Sequence, residues 1–180
     1  MPLSDQAKEH LYSIAKERSV HKGTTLISEG QSVKKTYFVT KGCLRSYSVD
    51  QNGKEHTLQF AVKGWWISDF IAIYTKELAT LNVECLSEAT LIEFNAQELD
   101  DIHTLFPEFE SFQRHNLERH VVSLHKRILN QMQLTAEERY DMFLEQYPDT
   151  EQHTRNYHIA SYLGITQQSL SRIRVEKAKK

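Results

Sequence analysis

The chain has 180 residues, 39% hydrophobic and 26% charged, with a formal net charge of −2. That balance belongs to an ordinary soluble globular protein of one large or two small domains and excludes intrinsic disorder. Only Cys43 and Cys85 are present, which excludes a disulfide scaffold and leaves no metal-ligand spacing.

Met1-Pro2-Leu3-Ser4-Asp5 lacks a basic segment followed by an apolar run, and the most apolar stretch, residues 65–74, is broken by Ser68 and Asp69. A cytoplasmic protein with no membrane partner is expected. Ser4 is placed to cap a first helix over residues 5–18, with Leu11, Ile14 and Ala15 on one side. The period then changes. Short β-type runs recur at residues 24–28, 36–40, 44–49, 55–62, 82–86 and 90–94, several of them separated by turn signals such as Glu29-Gly30-Gln31, Lys41-Gly42, Asp50-Gln51-Asn52-Gly53 and Lys63-Gly64. Strands at this spacing make a sandwich or barrel, with Cys43 and Cys85 read as buried thiols.

Asn95 with Glu98 predicts a capping box and a short helix, and a long helical pattern runs from Pro107 to about Met132. Leu117, Val121, Leu124, Ile128 and Gln131 follow four-three spacing, a seam suited to a partner helix and hence to a homodimer through residues 108–132. The competing reading packs that stripe on its own barrel. His115, His120 and His125 recur every five residues, which turns a helix by about 140°, so they cannot converge on a metal. Thr135 and Glu138 form another capping box, opening a helix through Tyr147 that Pro148 ends; its Tyr140, Phe143 and Leu144 are expected to form the core under residues 156–175.

Residues 156–175 read as a helix-turn-helix. Ala160 stands where two helices touch, and Gly164 stands where the turn needs a positive φ. Ile159, Leu163, Ile165, Leu170 and Ile173 make one apolar face, and Thr166 is a good N-cap for the second helix. Gln167, Gln168, Ser169, Arg172 and Arg174 are expected to point outward, where such side chains read base edges or hold phosphates. A plain helical hairpin is the competing reading. Charge favours DNA: residues 155–180 hold Arg155, Arg172, Arg174, Lys177, Lys179 and Lys180 against Glu176, a stretch of +5 on a body of −7.

This order of parts, with Gly-Trp-Trp-Ile-Ser-Asp at residues 64–69, Arg139-Tyr140, and the run from His158 to Arg174, resembles the Crp/Fnr family of bacterial transcription regulators over nearly the whole chain, and its shorter Bacteroidetes-type members in particular. The resemblance implies an α+β protein: an N-terminal double-stranded β-helix or β-roll of the cyclic nucleotide-binding type at residues 1–105, a dimerisation helix at 106–133, and a helix-turn-helix at 134–180. It also implies a homodimer on double-stranded DNA with a palindromic operator, and RNA polymerase as a further partner. Carried over, base-reading positions fall on Gln167, Gln168 and Arg172, with Thr166 and Ser169 beside phosphate.

Two departures stand out. Members that bind cyclic AMP hold the ribose with a Gly-Glu pair and the cyclic phosphate with an Arg-Ser or Arg-Ala pair, whereas here Gly64 precedes Trp65 and no arginine occurs between residues 46 and 113. Classical cyclic AMP binding is therefore not expected. The family's β-hairpin wing is expected to be short or absent, with Lys177, Lys179 and Lys180 replacing its backbone contacts. No cofactor is expected, since the N-terminal cysteine cluster of iron–sulfur members is missing. Gly64, Trp65, Trp66, Asp69, Phe70 and Thr80 mark a candidate pocket for an unknown small effector, although Trp65, Trp66, Phe70 and Tyr74 read more readily as core. No nucleophile elbow, P-loop, dinucleotide fingerprint or paired-histidine cupin site occurs, so no enzyme is expected. The remaining alternative is an interaction-only or ligand-binding roll whose helix-turn-helix has lost DNA binding.

Overall fold

The computed structural model describes residues 3–179; Met1, Pro2 and Lys180, the last part of the expected basic end, lie outside the described residues. The hydroxyl of Ser4 accepts from the Ala7 amide and starts α1 (Asp5–Ile14). The helix stops short of Arg18 because residues 16–20 form β1 (Lys16–Val20), paired antiparallel with β8 (Ala89–Asn95). There Arg18 meets the Glu93 carboxylate, which Lys35 also holds.

The other strands are β2 (Thr25–Ile27), β3 (Lys35–Lys41), β4 (Leu44–Val49), β5 (Glu55–Ala61), β6 (Trp66–Ile67) and β7 (Asn82–Cys85). They form two antiparallel four-stranded sheets in the orders β1-β8-β3-β6 and β2-β7-β4-β5. Alternate residues face between the sheets, so Tyr37 and Val39, Leu44, Ala61, Val83, and Ala89 and Leu91 make the roll core. This is the expected β-roll. The register of β4 against β5 shifts between Ser46 and Tyr47, a bulge that leaves Leu58 unpaired. Past the bulge Ala61 faces the roll interior and Phe60 faces outward.

Between β6 and β7 lies α2 (Phe70–Thr75). Asn95 caps α3 (Ala96–Leu105) by accepting from the Gln97 and Glu98 amides. No reciprocal bond from Glu98 forms among the described residues, so this is a simple cap rather than the expected capping box; Asn95 is still paired with Lys35 in the β3–β8 ladder. The long helix α4 (Glu108–Gln133) follows, and its Phe109 joins Phe94, Leu99 and Ile102 in a core shared with α1. Thr135 and Glu138 form the full capping box of α5 (Ala136–Gln146). After α6 (Thr150–His153) come α7 (Asn156–Leu163) and α8 (Gln167–Lys177). No described residue after Asn95 lies in a strand, so the described residues contain no wing hairpin.

Phe60 sits at the centre of the third core, in ring contact with Phe143, Tyr147 and Tyr162. Through it, β5 packs against α5 and α7, and the apolar faces of Ile159, Leu163, Leu170 and Ile173 close the same cluster. The helical unit therefore lies directly on the outer face of the roll.

Candidate nucleic-acid interface

Each part of the turn between α7 and α8 has its local cause. Gly164 ends α7 at φ +69°, and a Cβ there would also lie 3.2 Å from the Gln131 side chain. The amides of Gly164 and Ile165 bond back to Ser161 and Ala160, closing the helix end. Thr166 then accepts from the Ser169 amide at 3.1 Å, the expected N-cap of α8. Leu170 and Ile173 are buried beneath the helix.

A helix turns about 100° per residue, so the buried pair fixes where every other side chain of α8 points. Thr166, Gln167, Gln168 and Arg172 are exposed as expected, and Ser169 is half-buried by its own bonds to Thr166. Among the described residues the Arg172 side chain makes no ion pair or hydrogen bond. Ser171 shares the exposed face and is missing from the sequence reading; its place three residues after Gln168 was the available signal.

Two expectations need correction. Arg174 and Lys177 do not point outward, because they lie four and seven residues after buried Leu170 and so return to its side of the helix. The Arg174 guanidinium donates from Nε to the Tyr140 hydroxyl at 3.0 Å and from Nη1 to Asn156, while Nη2 lies 2.7 Å from Glu151, an ion pair outside hydrogen-bonding geometry. Lys177 pairs with Asp141. Part of the positive charge of the chain end is therefore neutralised by α5 and α6.

The expected pocket also divides. Gly64, Trp65, Trp66 and Phe70 line a cleft of about 1540 Å³ between the roll, α4 and α5, whose other walls include His120, Arg127 and Arg139. Phe70 meets the His120 ring at 6.0 Å, and burial lowers the pKa of that histidine. Asp69 and Thr80 do not line it. Asp69 is fully buried, and its carboxylate accepts from the amides of Ala72, Thr80 and Leu81 and from the Thr80 hydroxyl. It is a built-in anion that already occupies these donors. The nearest arginine in sequence, Arg45, is buried and committed to Glu55 and Glu84 at 2.5 Å each.

Burial pushes the Cys43 thiol up to about 11 and the Cys85 thiol up to about 12, so neither is a ready thiolate. Two such cysteines fall short of the four thiolates that hold an ordinary all-cysteine iron–sulfur cluster. No group of three metal-ligating side chains occurs among the described residues. No helix of the described residues is long and apolar enough to cross a membrane.

Comparison with known proteins extends this picture. Residues 17–104 match the cyclic nucleotide-binding domain. The anaerobic regulatory protein of Haemophilus influenzae is 24% identical over 183 residues, covering 95% of this chain and 70% of its own length. The transcriptional activator protein FnrA of Stutzerimonas stutzeri is 24% identical over 145 residues, covering 80% of this chain. The chain spans only 59% of the latter's length. The structure of FixK2 from Bradyrhizobium japonicum superposes with a TM-score of 0.78 at 18% identity, covering 92% of this chain and 85% of that one. The c-di-GMP-responsive global regulator CLP of Xanthomonas campestris gives 0.73 at 12% identity, covering 98% and 92%.

Proposed function

Since the chain belongs to the Crp/Fnr family, we propose that it is a sequence-specific DNA-binding transcription regulator acting as a homodimer in the cytoplasm. The observation that carries this reading is the exposed row Gln167, Gln168 and Arg172, held outward by the Thr166 cap and by burial of Leu170 and Ile173. Arg172 bears an unpaired guanidinium, suited to a bidentate bond to guanine, with the glutamines reading neighbouring bases and Thr166 and Ser169 beside phosphate. The division into a sensor roll at residues 1–105, a connecting helix at 106–133 and a DNA-binding unit at 134–180 belongs to the same reading, and the cleft beneath Trp65 and Phe70 is its candidate effector pocket.

Selection of bound sequences from a random DNA pool tests it. The protein is expected to enrich a palindrome, and Arg172→Ala to lose roughly 1–3 kcal/mol per half-site and to relax preference at one base pair. Failure to enrich any sequence would leave the interaction-only alternative.

Cyclic AMP independence forms part of the proposal. A cyclic phosphate entering the roll near α2 would meet donors already filled by Asp69 and no free arginine, so its charge would be buried uncompensated. Calorimetry is expected to show cyclic AMP and cyclic GMP binding no tighter than roughly millimolar, with DNA affinity unchanged. Micromolar binding of either would overturn it.

A further inference from the structure

Three consecutive residues of α5 hold α8 and its neighbours in place. Arg139 donates to the Leu163 carbonyl at the end of α7 at 3.2 Å and to the Leu134 carbonyl at the end of α4 at 2.7 Å. Tyr140 donates its hydroxyl hydrogen to Glu151 of α6 and accepts from Arg174 of α8. Asp141 pairs with Lys177, one turn further along α8. Arg174 is the busiest of these groups, since its nitrogens engage Tyr140, Asn156 and Glu151 on three different helices.

Packing alone sets the rotation of α8 weakly. Only Leu170 and Ile173 of this 11-residue helix are buried, and two apolar side chains define a narrow stripe about which the helix can roll. The outward row tolerates little roll, because a bidentate contact from Arg172 depends on the angle at which its guanidinium enters the groove. A planar guanidinium fixed at several points supplies the constraint that the stripe lacks.

Resting on the DNA-binding reading above, we propose that Arg174 is a positioning residue: it fixes the rotation of α8 through Tyr140, Glu151 and Asn156, and makes no phosphate contact itself. It acts through Gln168 and Arg172. Glu151, the carboxylate beside it, is part of the same device and not a free surface acid.

The two roles for Arg174 give opposite signs. In the full-length protein, with the selected palindrome and with random duplex, Arg174→Gln is expected to weaken palindrome binding at least about tenfold and to leave random-duplex binding unchanged. The slope of log affinity against log salt is expected to stay the same, because no phosphate contact is lost. Arg174→Lys should not rescue, since an ammonium cannot bridge three helices, whereas it would serve a phosphate. Glu151→Gln leaves α8 untouched and provides the same test should Arg174→Gln fail to fold. Positioning predicts that it too weakens palindrome binding at constant slope. A phosphate role predicts that freeing Arg174 strengthens binding to both duplexes. The inference is overturned if Arg174→Gln lowers the slope by about one per subunit and weakens both duplexes alike, or if Lys restores affinity. Those results leave DNA binding standing. Wild-type protein that selects no sequence overturns the DNA-binding reading instead, and this inference with it.

Discussion

His158 shows how far surroundings govern a single side chain. It lies on α7 with 9% of its side chain exposed, and its Nδ1, 3.7 Å from the Glu55 carboxylate, is too distant for a hydrogen bond and makes none. Burial first, then Arg45 and Arg155, push its pKa down to about 4. Glu55 does not reverse this, because Arg45 from β4 already holds that carboxylate and also binds Glu84 of β7. The Tyr157 ring meets the imidazole edge-on at 5.4 Å. An unfolded histidine titrates near 6.5, above the folded value, so burial keeps the neutral form. The stability that neutral His158 contributes is complete above about pH 6.5 and is lost as pH falls toward about 4, the unfolded chain binding the proton first. Urea unfolding at a series of pH values should show wild type losing on the order of 3 kcal/mol relative to His158→Gln across that window. The carboxylates common to both proteins cancel in the comparison. Parallel pH curves would show that the histidine is not held neutral.

Among elements, the contact between α7 and β5 has the largest consequence. β5 is an edge strand, and its outer groups are taken up by α7: the Tyr157 hydroxyl accepts from the Glu55 amide at 3.0 Å, while Ser161 accepts from the Thr57 amide at 2.9 Å and donates to the Glu55 carbonyl at 2.8 Å. Arg127 of α4 binds the Leu58 and Thr57 carbonyls at the bulge together with the Tyr162 carbonyl near the end of α7. Phe60 anchors the apolar side. Phe60→Ala is expected to cost about 3–5 kcal/mol and to speed amide exchange in α5 and α7 together with β5. Faster exchange confined to β5 would show that the helices are not held there. This docking was not legible in the chain, since a phenylalanine in a strand carries no mark of which face it takes, and here the bulge decides it. The strands 24–28 through 90–94 were legible because glycine turns bound them and apolar residues alternate. β1 was not, because Lys-Glu-Arg-Ser-Val has no alternation to read and its one buried residue is Val20. The six-residue α2 is too short to show a helical period. The turn between α7 and α8 was legible to the residue, since Thr166 and Gly164 act through local backbone chemistry. The inward course of Arg174 followed from its spacing to Leu170, whereas the acids that receive it come from elements distant in sequence.

For the whole molecule, the decisive feature is the apolar surface that a single copy leaves uncovered on α4. Val121 is 46% exposed, Ile128 56% and Met132 76%, with Leu117 beside them and Leu124 half-buried on the same seam. A helix of 26 residues is about 39 Å long, ample for several heptad layers. A second copy packed along it would bury this stripe by an isologous contact and relate the two α8 helices by a two-fold axis, about 34 Å apart for adjacent major grooves. Because α7 is fixed to the roll of its own chain by Phe60 and Arg127, that spacing would depend on the α4 crossing with little freedom in the helix-turn-helix itself. We therefore expect Val121→Glu with Ile128→Glu to give a folded monomer. Phe109, the one buried residue of α4 among those described, and the Arg127 bonds to β5 and α7 are untouched by these exposed sites, so roll and helix-turn-helix should survive. Each half-site contact would then act alone, losing the effective concentration that tethering supplies, so palindrome affinity should fall by about 10²-fold or more and the salt slope by about half. Sedimentation and binding isotherms read the two effects separately. A wild-type monomer at micromolar concentration, unchanged by the palindrome, or a double variant that still sediments as a dimer, would show that the seam is not where two copies meet.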